Sequence, residues 1–245
     1  MKNTNRLFAI SVFVVLLLCI PIVSHAVNTG FSTEYEKDLD AYDFAKDVKF
    51  SVMKNEPRKE PMDCFDVSES GMIAIGTSQA SSNKRVYVYT SEGEYKYGYT
   101  FRSGGSFALE FDGEVLNIYF VRGDIILAVA PGGEIKGISK VQNTQENISY
   151  LFNELYAAEK EINGTKYIIR NDIGFLSLFA TTYSRLVVKA SDGEESIIYD
   201  VNAYQFVVVL FWVVGITAFA SIAITDVVRK ERERRRRCSV NNLSV

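Results

Sequence analysis

The chain has 245 residues, with 30 acidic against 27 basic groups and a formal net charge of −3. Its only histidine is His25, so nothing beyond that position can form a Ser-His-Asp or Cys-His catalytic set or a common zinc site. Between residues 27 and 204 Cys64 is the lone cysteine, which excludes an internal disulfide there and leaves that region to stand on a hydrophobic core.

At the start, Lys2 and Arg6 precede an apolar stretch from Leu7 to Ile20, followed by Pro21 and small residues at Ser24 and Ala26. This layout reads as a signal peptide over 1–26 cut after Ala26, with an uncleaved anchor as the alternative; either exports the region that follows. Cys19 follows Leu16-Leu17-Leu18 and so lacks the small residue before it that a lipoprotein cleavage site needs. Residues 27–204 carry a balance of −9, which argues against nucleic acid as a partner because such a site needs a basic footprint. In the N-terminal segment, 27–63, Glu34 to Lys46 reads as a charged helix or linker and Val48 to Val52 as a strand.

From residue 64 the chain repeats itself weakly three times. Each copy opens on an apolar residue with glycine six places on: Phe65 to Gly71, Phe107 to Gly113, Ile168 to Gly174. Each closes with a Gly-Glu turn, Gly93-Glu94, Gly133-Glu134 and Gly193-Glu194, at glycine offsets of 22, 20 and 19. The pattern predicts four short antiparallel strands per copy. After the opening run, the expected strands are Met72–Gly76, Arg85–Thr90 and Glu94–Phe101 in the first copy. They are Glu114–Val121, Asp124–Ala130 and Glu134–Val141 in the second, and Phe175–Thr181, Arg185–Ala190 and Glu195–Val201 in the third. Between copies two and three, Ile148, Leu151, Phe152, Leu155 and Tyr156 recur at helical spacing, which predicts a helical insertion over about 142–164 stopped by Asn163-Gly164. Asn147-Ile-Ser149 and Asn163-Gly-Thr165 match glycosylation acceptors in a eukaryotic host.

The fold class expected is therefore mainly β: antiparallel four-stranded meander repeats over 64–204, a helical insertion and a C-terminal transmembrane helix. A four-stranded meander repeating near 42 residues, with its glycines and Gly-Glu turns, resembles the blade of a six-bladed-type β-propeller found in exterior domains of single-pass, bacterial membrane proteins. The resemblance covers roughly 64–201 and implies an open or partial propeller. Three copies are fewer than the four to eight blades with which propellers close, and residues 31–60 offer strands for a fourth.

One hairpin of the first copy carries Tyr87, Tyr89, Tyr95, Tyr97 and Tyr99. Alternation puts Tyr95, Tyr97 and Tyr99 on one face with Phe101, a ladder suited to gripping a sugar or a protein partner or, alternatively, to packing between neighbouring repeats. Glu110, Asp112, Glu114 and Asp124 gather in sequence around the second copy, and two carboxylates are the minimum for glycoside hydrolysis, their separation setting the mechanism. No cofactor, metal or catalytic set is expected.

Phe206 to Thr225 is an uncharged run of twenty residues, enough for a helix across about 30 Å of hydrocarbon, within a span of 205–228. The tail, 229–245, includes four consecutive arginines, which the positive-inside rule keeps cytoplasmic. Within the span, Gly215, Thr217, Ser221 and Thr225 form a small and polar stripe suited to self-association. The sequence thus leads to an expectation of a membrane-anchored, extracytoplasmic binding or interaction protein, with the membrane and an exterior protein as partners, as an accessory subunit of an envelope complex. An anchored hydrolase working through Asp and Glu, and a structural envelope protein, are the alternatives.

Overall fold

The computed structural model describes residues 27–34, 36–78, 82–191 and 193–241, with side chains through Glu231; the expected signal peptide lies outside them. The described chain is mainly β, with antiparallel sheets followed by one long apolar helix. Ahead of the sheets come β1 (Thr33–Glu34), α1 (Ala41–Asp47) and β2 (Ser51–Met53). Asp40 caps α1 by accepting from the backbone N–H groups of Tyr42 and Asp43. Sheet one follows: β3 (Met62–Val67), β4 (Ile73–Ser78), β5 (Asn83–Tyr89) and β6 (Tyr95–Arg102) pair consecutively. Sheet two repeats the order with β7 (Phe107–Asp112), β8 (Val115–Phe120), β9 (Ile125–Val129) and β10 (Ile135–Val141).

β1 and β2 do not start a further sheet. They pair with β10 and β6, so each adds a fifth strand to an existing edge, where unpaired backbone groups would otherwise face solvent.

Sheet three departs from the expected layout. It consists of β11 (Glu159–Ile162), β12 (Thr165–Arg170), β13 (Arg185–Lys189) and β14 (Glu195–Asp200). The stretch Phe175 to Thr181 is no strand: Gly174–Phe179 forms a 3-10 helix instead. The missing strand comes from residues expected in the insertion. Asn163 and Gly164 both hold positive φ, 52° and 75°, so they form a two-residue hairpin loop rather than a helix stop. Gly164, not Gly174, therefore occupies the first turn of sheet three, as Gly71 and Gly113 do in the other sheets.

The Gly-Glu turns share one geometry. The N–H groups of Gly93, Gly133 and Gly193 donate to the carbonyls of Thr90, Ala130 and Ala190, and the N–H groups of Thr90, Ala130 and Ala190 donate to the carbonyls of Glu94, Glu134 and Glu194. All three glycines have φ near +90°, a region closed to most side chains.

The helical insertion is short. Thr144 caps α2 (Gln145–Tyr150), which runs on as one π-helical stretch, Leu151–Leu155. The wider turn breaks the 3.6-residue phase, so Leu151 and Leu155 are buried while Ile148 and Phe152 face outward. Asn147 is 4% exposed and bonded to Ser32 and Gln142, which removes it as a glycan acceptor in the folded chain.

Sheet one is the middle layer. Val86, Val88, Tyr99 and Phe101 pack against sheet two, and Ile73, Ile75, Tyr87 and Tyr89 against sheet three. Burial on both faces explains why Ile73 to Thr77 is buried without alternation. The outer face of sheet two is covered by Phe31, Leu151 and Leu155. At the centre, β3 lies against β7, β11 and the π-helical stretch. Gly76 permits a close approach of sheets one and two, since a Cβ there would meet the Phe107 ring at 2.8 Å, and Cys64 Sγ of its own sheet at 2.6 Å. Cys64 is buried, and burial pushes its thiol far above the ordinary range, so it is an inert core side chain.

The last helix, α3 (Asn202–Asn241), begins two residues after β14 and continues unbroken through the basic tail. Its stretch Asn202–Glu231 is long and apolar enough to cross a membrane, with none of its apolar window buried in the protein.

Candidate functional site

The first strands β3, β7 and β11 end together at one end of the sheets. Between those ends and the helical insertion opens a cleft of about 710 Å³. Its walls are Asp66–Glu69, Glu110–Gly113, residues from Tyr150 to Ala157, and Glu159–Ile162. Seven carboxylates line it (Asp66, Glu69, Glu110, Asp112, Glu154, Glu159 and Glu161), against one cation, Lys160.

Asp66 and Lys160 tie the inner strands of sheets one and three. Lys160 Nζ donates to Asp66 at 2.6 Å, both side chains being almost buried at 13% and 12% exposure. Asp66 also accepts from the Phe111 N–H at 2.6 Å, which brings in sheet two. The Lys160 ammonium lies 5.6 Å from the centre of the Phe65 ring, a further favourable contact. One carboxylate thus joins the first strand of every sheet. The Asn163 side chain adds a second tie by donating to the Glu69 carbonyl.

The neighbouring carboxylates are held from the other side. Glu110 accepts from the Gly30 N–H at 2.7 Å, from Tyr150 Oη at 2.8 Å and from Thr29 Oγ1. Burial, then the Glu110 charge, raises the Tyr150 hydroxyl well above the ordinary range, so it stays protonated and donating. Asn28 donates to Asp112, and Asn117, 2% exposed, donates to the Asn28 carbonyl. Residues 28–30 therefore act as a clamp on the β7 carboxylates. Among the described residues no three His, Cys, Asp or Glu side chains converge as a metal site requires. Lys166, beside the lining, pairs with Glu159 at 2.7 Å and lies 3.8 Å from Glu161; the acidic excess that remains is a distributed negative field suited to a cationic group.

Of the carboxylates gathered in sequence, Glu110 and Asp112 reach this cleft. Asp124 does not: it accepts from Tyr119 Oη at the far end of β8, about 17 Å away by strand rise. Sequence order around a hairpin does not separate its two ends. Nor does sequence order join Asp66, Glu69, Glu154, Glu159, Glu161 and Lys160 to Glu110 and Asp112, because these come from the other two sheets and the helical insertion, although a lone lysine between two glutamates is a local signal.

The tyrosine hairpin is interior. Tyr87, Tyr89 and Tyr99 are 0% exposed, with Tyr95 and Tyr97 half-buried. Nor do Tyr95, Tyr97 and Tyr99 share a face. A bulge pairs Tyr89 with Tyr95 but Val88 with Tyr97, so one extra residue turns Tyr95 to the opposite side. Tyr97 and Tyr99 pack towards sheet two; Tyr87, Tyr89 and Tyr95 join Tyr199 of sheet three, with ring centres about 6 Å apart. Their hydroxyls are already used. Tyr95 donates to the Met53 carbonyl, Tyr89 to Glu56, Tyr87 to the Arg58 carbonyl and Tyr199 to the Glu60 carbonyl, while Lys59 lies over the rings of Tyr89 and Tyr199. The chain's own segment 53–60 therefore covers this aromatic edge. Tyr99 donates to the Ala130 carbonyl at 2.8 Å. Burial raises all five hydroxyls above their ordinary range.

On α3, the hydroxyls of Thr217, Ser221 and Thr225 donate to carbonyls three or four residues back at 2.8 to 2.9 Å. Nothing lies within 4 Å of a Cβ built on Gly215, so the small face is open. No family model, characterised protein or solved structure matches this chain.

Proposed function

We propose that the chain is a membrane-anchored, extracytoplasmic binding protein whose three meanders form an open propeller-like stack, and that the acidic cleft receives a basic segment of a protein partner. The carrying observation is the meeting of the inner strands at a cleft with seven carboxylates and one lysine. The blade-like strand order, with β3 beside β7 and β11, supports the resemblance. The strand register sets the cleft at the end of the sheets opposite the Asp200 end from which α3 leaves, so the cleft faces away from the candidate span by about one strand length, roughly 17 Å, and the basic tail favours a cytoplasmic end for α3.

Crosslinking of the full chain in its native membrane tests the reading. Glu69→Lys with Glu161→Lys reverses charge on the cleft and should abolish capture of an exterior partner, while Glu34→Lys, exposed at the opposite end of sheet two, should not. Capture that survives the double reversal sinks the cleft as the binding site.

The same carboxylates could serve an anchored hydrolase, one as acid and one as base. Asp66, Glu110 and Asp112 are already engaged by the chain's own donors, which weighs towards binding. Self-association through Gly215, Thr217, Ser221 and Thr225 fits a helix whose small face is open; Gly215→Leu with Ser221→Leu should lower it, and unchanged oligomer size removes the idea.

A further inference from the structure

The connection from β12 to β13 contains the 3-10 helix Gly174–Phe179, and its side chains divide sharply. Leu176 is 1% exposed, whereas Phe175, Leu178 and Phe179 are bare at 74%, 86% and 59%. Three large apolar groups exposed within five residues form a patch rather than the single scattered apolar side chains of ordinary surfaces.

The inward side is seated on α3. Ile173 and Leu176 pack against Val209, with Ala180 and Val213 beside them. Polar groups lock the same contact. Gln205, 2% exposed, donates to the Thr182 carbonyl at 2.7 Å, and Asn202 donates to the Asp172 carbonyl at 3.0 Å. Ser177 Oγ turns back to the Asn171 carbonyl, leaving the outer side apolar.

Charge limits how deep this block sits. The last charge before the apolar run is Asp200 and the next is Asp226. An interval of that length is about 36 Å of helix, little more than the roughly 30 Å of hydrocarbon to be crossed. With Thr225 at the inner boundary, the outer one falls near Phe206, and Val209 and Val213 lie roughly 5 and 10 Å inside it. A segment packed on those two valines shares their depth, which is that of interfacial membrane helices. Arg58, over the Tyr204 ring at 4.6 Å, falls at the adjoining headgroup level, where a cation is favoured.

We infer that Gly174–Phe179 is a second membrane contact, inserting Phe175, Leu178 and Phe179 among the upper acyl chains beside α3. This rests on α3 spanning the membrane. A single helix leaves the domain free to swivel about the helix axis; a second contact on one side of that axis fixes the direction in which the acidic cleft faces.

Fluorescence quenching tests it, with the full chain reconstituted in phosphatidylcholine vesicles brominated near the top of one acyl chain. Trp212, the only tryptophan, reports on the span. Phe175→Trp and Leu178→Trp, each combined with Trp212→Phe, report on the segment, and both sites are exposed enough to accept an indole without refolding. Each indole should lose about half its emission to brominated lipid and resist aqueous iodide, as interfacial insertion requires. Quenched Trp212 with the Phe175→Trp and Leu178→Trp indoles open to iodide overturns the inference alone, and so does an indole shielded from both quenchers, as by a second copy. An unquenched Trp212 overturns the span and the inference with it.

Discussion

Lys160→Met removes the counter-charge of Asp66 without removing the apolar stem that crosses Phe65. Asp66 keeps the Phe111 N–H as a donor but becomes a carboxylate 12% exposed with no cation against it. Breaking one side of a buried pair costs about 3–5 kcal/mol, because the remaining charge stays desolvated. Taking 3 kcal/mol and the slope for a domain of this size, the midpoint should fall by roughly 6–12 °C. The double variant Asp66→Asn with Lys160→Met should recover most of this, since the Asn amide oxygen still accepts from Phe111 and no charge remains. Thermal melts of the full chain in mild detergent, followed by circular dichroism of the sheets, give three differences from the parent (Asp66→Asn, Lys160→Met and the double variant), and the cycle should show a coupling of about 2 kcal/mol or more. A single variant within about 1 kcal/mol of the parent, or a double variant as damaged as the single, would refute the pair as the tie between inner strands.

Adjacent glycines of one turn should separate backbone strain from crowding. Gly132 and Gly133 have nearly the same φ, 89° and 91°, but a Cβ at Gly133 would sit 2.1 Å from Val52 Cγ2 while one at Gly132 meets nothing. Gly132→Ala should cost about 1–2 kcal/mol from strain, and Gly133→Ala a further 1–3 kcal/mol from crowding; equal denaturation midpoints would contradict this. Burial holds the Asp63 carboxyl above its ordinary range, offset only in part by Ser78 and the Lys84 ammonium, and one of its oxygens has no partner. A raised folded pKa means that the fold favours the protonated form, so stability falls as pH rises through the unfolded and then the folded value. Asp63→Asn should therefore be more stable than the parent at neutral pH and lose that advantage below about pH 4; an advantage that grows in acid would refute the sign.

Local chemistry settled a good part of this protein in advance. The Gly-Glu turns are legible because only glycine takes φ near +90° in those hairpins, and the strands beside them follow from alternation. The uncharged run after residue 200 can satisfy its backbone in lipid only as a helix, so its form needs no tertiary partner. What tertiary structure decided was direction and company. One bulge turned Tyr95 away from Tyr97, and packing on both faces of sheet one decided between the two uses of the tyrosine ladder, burying it between the sheets instead of displaying it. Glu159–Ile162 became a strand because β12 offered an edge across the Asn163-Gly164 loop, and Phe175 to Phe179 stayed out of the sheet because β13 pairs with β12 without it. The cleft, too, is a product of assembly: its carboxylates lie some 95 residues apart in the chain and meet because three inner strands end side by side. Composition and periodicity report what each residue prefers next to its neighbours, whereas a site built from strand ends depends on which sheets stack against which.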